Sequence, residues 1–129
     1  MLEVDLSIRE GDGQAVVALR GELNPADTPG VASHLIAAVA ACGPSVIVDL
    51  AALDGISHDG LLVLLRGLTW TRRSGGDLPL AAPRQPVRQI LEATGLIHVF
   101  SVYPSVEQAA NSARPAQPPP SAPAIPIKQ

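Results

Sequence analysis

Three consecutive polar side chains, those of Ser57, His58 and Asp59, follow an apolar strand pattern and precede an apolar helix pattern. A hydroxyl, an imidazole and a carboxylate could serve as a phosphate acceptor, as a nucleophile with its base, or as ligand-binding groups. We predict that the segment 55–60 is a loop between the carboxyl end of a strand and the amino end of a helix. In open α/β sheets this crevice is the usual place for ligand or partner chemistry. The amino end of a helix also favours anions.

These residues do not form a catalytic group of a known type. Ser57 and His58 are adjacent in sequence, so their side chains are expected to point in different directions and not to form a dyad. The chain has no Walker-type phosphate loop, no His-Glu-x-x-His segment and no nucleophile elbow. Phosphorylation of Asp59 would require a magnesium pocket with further carboxylates, and Asp49 and Asp54 are poorly placed for one. We therefore predict a protein without enzymatic activity, metal or cofactor.

Composition and charge narrow the classes of partner. The 129 residues carry a formal net charge of −3, nine basic residues spread along the chain, and 2% aromatic residues. We expect no direct contact with nucleic acid, because such binding needs basic patches or aromatic stacking platforms. No apolar run approaches the ~20 residues of a membrane helix and no secretory signal is visible, which predicts a cytoplasmic protein without membrane insertion. The single cysteine, Cys42, is predicted to be a small buried apolar residue.

The patterning predicts an α/β domain with a mixed β-sheet. Apolar residues alternate with polar ones in residues 2–8, and a Gly-Asp-Gly turn and a second strand pattern follow, which predicts an opening hairpin. Later segments alternate between helix and strand, so the remaining strands are predicted to run parallel through right-handed crossovers. The predicted later elements are helices at 26–41, 58–73, 86–94 and 105–112, and strands at 46–50, 78–82 and 97–102. Ile36 and Leu62 are among the residues expected to face the core.

The composition changes sharply near the end of the chain. We predict a domain over residues 1–112 and a proline-rich disordered tail over residues 113–129, since six prolines lie in that segment among few core-forming residues. A ligand for a proline-binding module is the alternative interpretation of this tail.

Several stretches, in order along the chain, resemble the STAS domain of anti-sigma factor antagonists. The family motif runs from a Val-Asp-Leu strand to Asp-Ser-Ser-Gly-Leu and into a helix; here Val-Asp-Leu at 48–50 is followed by Ser-His-Asp-Gly-Leu at 57–61. Four further segments resemble the family pattern, so that the resemblance covers residues 2–111. They are the strand and Gly-Glu-Leu-Asn turn at 16–24, Arg-Ser-Gly-Gly-Asp-Leu at 73–78, the helix and Val-Phe at 87–100, and Val-Tyr-Pro-Ser-Val-Glu-Gln-Ala at 102–109.

The resemblance implies a STAS fold and a role in transcription regulation by partner switching in bacteria. Members of the family bind a kinase-fold anti-sigma factor and so release a sigma factor, and phosphorylation of the second motif serine weakens that binding. The same alignment implies that Asn24, Ser57, His58, Asp59 and Gly60 belong to the partner-binding and regulatory surface. It places Asp59 at the phosphoacceptor position, where serine phosphorylation cannot occur.

Three of these residues, Ser57, His58 and Asp59, have two interpretations each. Asp59 is either a partial mimic of phosphoserine, with one charge in place of about −1.5 to −2, or a carboxylate that stabilises the start of a helix. Ser57 is either a displaced phosphoacceptor or the N-cap of that helix, and the cap is favoured. His58 is either a group that titrates near neutral pH or polar surface. Asn24 stands where the family has Asp. This replacement keeps a residue that favours turns but removes a charge.

Other functions remain open alternatives from the sequence. A STAS domain could serve as an accessory subunit of a membrane lipid transporter, or sense a small ligand at the same crevice. A weak homodimer is also compatible with the sequence.

Overall fold

A mixed five-stranded sheet lies at the centre of the part of the chain that the computed structural model describes, residues 2–9 and 13–112. The strands follow the order β1-β2-β3-β4-β5, with β1 antiparallel to β2 and all later neighbours parallel. This arrangement confirms the predicted hairpin followed by parallel strands. The bounds are Glu3–Ile8 for β1, Ala15–Leu23 for β2, Val46–Ile56 for β3, Leu80–Ala81 for β4 and Val102–Tyr103 for β5.

Helices cover both faces of the sheet. The described residues contain four α-helices and two 3-10 turns, Pro25–Asp27 and Leu96–His98. The α-helices are Thr28–Cys42 (α1), His58–Arg73 (α2), Gln85–Thr94 (α3) and Val106–Ser112 (α4). These elements confirm the predicted α/β class and its four helices.

Successive side chains of each strand point to opposite faces of the sheet, and the core is therefore divided into two clusters. The larger cluster joins the sheet to α1, α2 and α3, through residues such as Val17, Val48, Leu35, Leu64 and Leu91. The smaller cluster joins the opposite face to α4 and contains Val16, Ile47, Ala81, Ala109 and Ala110. One face of the sheet therefore positions α1 and α2 side by side.

Two predictions about the helices' inward faces are wrong. Ile36 on α1 and Leu62 on α2 are 56% and 38% exposed, although both were expected to face the core. The buried positions of α1 are Val31, Leu35 and Ala38. Because the helices are apolar on more than one side, periodicity alone does not identify which side meets the sheet.

Three strand predictions also need correction. β3 extends to Ile56, well beyond the predicted end at Leu50, because it continues to pair with β2 as far as Leu23. The strand predicted at 78–82 is confined to Leu80–Ala81. The segment 97–102, predicted to be extended, begins as a 3-10 turn after Gly95 ends α3 in a left-handed conformation.

Two of the predicted segments are not tested by the structure. The first two residues of the predicted Gly-Asp-Gly turn lie outside the described residues, as does the segment 113–129. Cys42 is partly buried and packs against the larger core cluster. Within residues 2–9 and 13–112, no helix combines the length and apolar character that crossing a membrane requires.

Candidate functional site

The carboxyl ends of β2 and β3 lie next to each other at one edge of the sheet. Leu23 is paired with Ile56, and the backbone N–H of Ser57 donates a hydrogen bond to the carbonyl oxygen of Leu23 at 2.8 Å. The next residue after Leu23 is Asn24. The structure therefore brings together the two segments that the sequence identified separately.

Ser57 caps helix α2, as its sequence position predicted. Its backbone is extended, and its Oγ accepts a hydrogen bond from the N–H of Gly60 at 3.1 Å. Its carbonyl oxygen accepts the first helical hydrogen bond, from Leu61, at 3.0 Å. The predicted loop at 55–60 is wrong in its extent: its first two residues end β3, only Ser57 connects the two elements, and the remaining three form the first turn of α2, in agreement with the predicted helix at 58–73.

The first turn of α2 presents its two polar side chains to solvent. His58 and Asp59 are exposed, and no hydrogen bond or ion pair of either side chain occurs within the described residues. Asp59 is an acidic residue in the first turn, where the helix dipole stabilises a carboxylate. The exposed carboxylate is therefore compatible with both interpretations, a helix-stabilising residue and a charge presented to a partner.

Gly60 lies beneath these side chains and is buried. A Cβ at this position would lie 2.7 Å from Cγ and 2.9 Å from Cδ2 of Leu23, and 3.0 Å from Cγ1 of Ile56. Only glycine lets the helix approach the ends of β2 and β3 this closely. The role of Gly60 is therefore packing: it lets the first turn of α2 contact the ends of the two strands directly.

The turn after β2 is held by a carboxylate that the sequence reasoning missed. The backbone N–H of Asn24 donates to Oδ2 of Asp27 at 3.0 Å, and the N–H of Asp27 donates to the carbonyl oxygen of Asn24 at 2.9 Å. The side chain of Asn24 is exposed at the start of the 3-10 turn. The spacing Asn-x-x-Asp was the signal, because an acidic residue three positions after a cap often closes a helix start.

The carboxylates near this edge do not converge. Asp54 forms an ion pair with Arg84, with Oδ1 and Nη1 2.7 Å apart, and Oδ1 of Asp49 accepts the N–H of Ala51 at 3.0 Å. Across residues 2–9 and 13–112, no group of three His, Cys, Asp or Glu side chains is arranged to hold a metal ion.

We call the exposed residues Asn24, His58 and Asp59, together with the capping Ser57, the helix-start surface. It combines a fixed backbone, a buried glycine underneath and a helix amino terminus with one carboxylate. The hydrogen bonds of Ser57, Asn24 and Asp27 hold the backbone of this exposed, charged patch in one arrangement.

Comparisons with known proteins agree with this architecture. The model of the STAS domain family matches residues 4–109. A protein of Bordetella bronchiseptica named "Putative anti-sigma factor antagonist BtrV" is 33% identical over 113 residues, which cover 88% of this chain and 97% of that protein.

Solved structures show the same fold at lower sequence identity. An anti-sigma factor antagonist from Mycobacterium paratuberculosis superimposes with a TM-score of 0.77 at 23% identity, over 88% of this chain and 95% of that one. The anti-sigma factor antagonist SpoIIAA in its unphosphorylated form gives a TM-score of 0.73 at 18% identity, over 87% and 96% of the two chains.

Proposed function

This chain belongs to the STAS domain family, and from that premise we propose that it is a non-enzymatic regulatory module that binds a kinase-fold anti-sigma factor. By that binding it controls sigma-factor-dependent transcription in the bacterial cytoplasm. The name of its Bordetella relative supports the proposal, as does the match of the STAS model to most of the chain.

The observation that carries the proposal is the junction of the two strand ends at the helix-start surface. The Ser57–Leu23 hydrogen bond of 2.8 Å keeps the Asn24 turn beside the first turn of α2. A partner that covers this edge would contact Asn24, His58 and Asp59 at once. The exposed position of all three side chains supports a docking role.

Asp59 has a defined part in this proposal. It supplies one permanent negative charge where the family motif has its phosphoacceptor, against about −1.5 to −2 for phosphoserine. The helix amino terminus favours an anion there in either case. We propose that Asp59 holds the protein in a partly weakened binding state that a serine kinase cannot change.

A binding experiment tests the proposal directly. The full chain, immobilised, is used to retain partners from a lysate of the native host, and the retained protein is then purified and titrated by calorimetry. We expect a kinase-fold anti-sigma factor whose affinity falls about tenfold or more with Asn24→Arg and with His58→Arg. Gln89→Arg, an exposed position on α3, is the matched control and should bind as the native chain does.

Two results would contradict the proposal. Retention of a transporter ATPase instead would favour the accessory-subunit alternative. Unchanged affinity of the anti-sigma factor for both Asn24→Arg and His58→Arg would show that binding occurs on another surface.

A further inference from the structure

The first strand of the sheet, β1, is an edge strand with one open side. Within residues 2–9 and 13–112, it pairs with β2 alone. Its six residues pair with β2 in one continuous register, without the shifts that occur between β2 and β3. The strand at the opposite edge, β5, has only two residues. A long, regular edge strand presents a row of backbone N–H and C=O groups to which another strand can pair.

One hydrogen bond at the end of β1 shows which of its backbone groups point outward. The N–H of Arg9 donates to the carbonyl oxygen of Gln14 at 2.8 Å, in continuation of the β1–β2 register. In an antiparallel pair, alternate residues of a strand form hydrogen bonds to the same neighbour. The odd-numbered residues of β1 therefore bond to β2, and the backbone groups of the even-numbered residues point away from the sheet. These even-numbered residues are Val4, Leu6 and Ile8.

The side chains of β1 divide in the same way. The even-numbered ones lie on the face that the larger core cluster covers, because their partners on β2 belong to that cluster. Leu2 and Val4 pack against the cluster, whereas Leu6 and Ile8 are 37% and 57% exposed. The side chains on the opposite face are those of Glu3, Asp5, Ser7 and, directly after the strand, Arg9. The outward-pointing backbone groups thus belong to residues with incompletely covered apolar side chains.

We propose that two copies of this chain pair through the outer edges of β1, in antiparallel orientation, with Leu6 of one copy directly opposite Leu6 of the other. Val4 of each copy then lies opposite Ile8 of the second copy, and the even-numbered residues exchange about six backbone hydrogen bonds. The two five-stranded sheets become one continuous sheet. The pair is two-fold symmetric and closed, because the same edge of each copy is used and the remaining edges are too short to continue the assembly.

The charges of β1 support a second copy as the occupant of this edge. In the proposed register, Glu3 lies opposite Arg9 of the second copy, and Asp5 lies opposite Ser7. Opposite charges that face each other across two strands stabilise the pairing, and like charges oppose it. Arg20 lies on the other side of Glu3, with Nε and Oε1 3.9 Å apart, so that the charges alternate in sign across three strands. The strand is therefore complementary to a reversed copy of itself.

Other registers of the same pairing are less favourable. Even-numbered residues must stay opposite even-numbered ones, because only their backbone groups point outward. A shift in one direction places Asp5 opposite Asp5 of the second copy, which like charges oppose. A shift in the other direction leaves Val4 without an opposite residue in β1 and removes about two of the hydrogen bonds. The register centred on Leu6 is therefore the one that we expect.

This pairing leaves the helix-start surface of each copy accessible. The start of β1 lies near that surface, since Glu3 pairs with Arg20 towards the carboxyl end of β2. A two-fold axis at Leu6 places the second copy's helix-start surface at the opposite end of the joined sheets. The dimer then presents two docking surfaces that face away from each other. The inference does not depend on which protein binds those surfaces.

Sedimentation of the full chain over a range of concentrations tests the proposal. We expect a reversible dimer in the native chain. Leu6→Lys places two like charges opposite each other on the symmetry axis and should raise the dissociation constant about tenfold or more. Leu62→Lys is the matched control, because Leu62 on α2 is 38% exposed, almost the same as Leu6. It should dimerise as the native chain does.

Two further measurements test the register. Leu6→Glu alone should also weaken the dimer, whereas an equimolar mixture of Leu6→Lys and Leu6→Glu should form a heterodimer, because each lysine then faces a glutamate. Amide hydrogen exchange measured by NMR gives an independent readout in the native chain. Exchange at Leu6 should slow as the concentration rises, whereas exchange at Ser7, whose N–H already faces β2, should change little.

Several outcomes would overturn the proposal. A native chain that stays monomeric up to about 1 mM would exclude even a weak dimer. A dimer that Leu62→Lys dissociates and Leu6→Lys does not would assign the contact to the surface of α2. Dimerisation that occurs only after deletion of residues 113–129 would assign the β1 edge of the native chain to that segment. A mixture of the two Leu6 variants that stays monomeric would contradict the pairing of Leu6 with itself. Circular dichroism of every variant confirms that folded proteins are compared.

Discussion

The backbone N–H of Ser57 lies 2.8 Å from the carbonyl oxygen of Leu23 and donates a hydrogen bond to it. This bond continues the pairing of β2 with β3 by one residue beyond the last strand pair, Leu23 and Ile56. As a result, the cap of α2 and the Asn24 turn form a single surface, and a change in either is expected to affect the other.

Replacing the carboxylate of Asp59 should separate its two interpretations. If Asp59 imitates a phosphorylated serine, Asp59→Ser removes an unfavourable charge from the docking surface and tightens binding of the anti-sigma factor. The loss of a helix-start carboxylate should lower the free energy of unfolding by only about 0.3–1 kcal/mol. Calorimetry without ATP measures the affinity and urea denaturation the stability. Unchanged or weaker binding would leave Asp59 as a helix-start residue.

The native chain should take up no phosphate at the helix-start surface from ATP and a partner serine kinase. Asp59 lacks the hydroxyl, and the Oγ of Ser57 is engaged by the N–H of Gly60. Intact-mass and peptide mass spectrometry provide the measurement, with Asp59→Ser as the positive control. A stoichiometric phosphate on Ser57 would show that capping does not protect it and that the switch is regulated.

Removing the cap of α2 should destabilise the domain. Ser57→Ala deletes the hydrogen bond to the Gly60 N–H and should cost about 0.5–2 kcal/mol of unfolding free energy. Ser105→Ala is the matched control: its Oγ accepts the N–H of Gln108 at the same distance, 3.1 Å, at the start of α4. Both variants should lose stability in urea denaturation, but only Ser57→Ala should weaken partner binding. Equal affinities for the two variants would argue against a docking role of the α2 start.

Adding one methyl group at Gly60 should be disruptive. In Gly60→Ala the new Cβ meets Leu23 at 2.7 Å, and relief of that overlap should cost about 1–3 kcal/mol. Gly30→Ala is the control, because Gly30 is also the third residue of its helix and a Cβ added there would meet nothing within 4 Å. It should be neutral or stabilising by up to about 0.5–1 kcal/mol. Chemical denaturation of both variants measures the difference, and equal stabilities would contradict the close approach at Gly60.

Deletion of residues 113–129 should have little effect on thermal stability. The proline-rich composition offers few residues for a core, so we expect the melting temperature to change by less than about 4 °C. Calorimetric melting of the full and shortened chains provides the comparison. A larger loss would indicate that this segment packs on the domain.

Local signals in the sequence were sufficient for the helices. The bounds of α2, His58–Arg73, and its Ser57 cap were predicted correctly, because capping and helical periodicity involve only residues within a few positions. The end of α3 at Gly95 was also predicted from a local signal, because Gly95 adopts a left-handed conformation that suits glycine. The STAS family pattern was also readable in the sequence, because its motifs follow the chain in order.

Contacts between segments that are far apart in the sequence determined the features that sequence patterns did not predict. β3 reaches Ile56 because β2 is beside it, and Gly60 must be glycine because the side chain of Leu23 comes from another strand. Ile36 and Leu62 face outward because the sheet is covered by other residues of α1 and α2, and both helices are apolar enough for either orientation. The sequence by itself determined the α/β class, the four helices and the residues at which α2 begins and α3 ends. Tertiary pairing and packing alone determined which of those residues meet at the helix-start surface and which apolar side chains of α1 and α2 remain exposed.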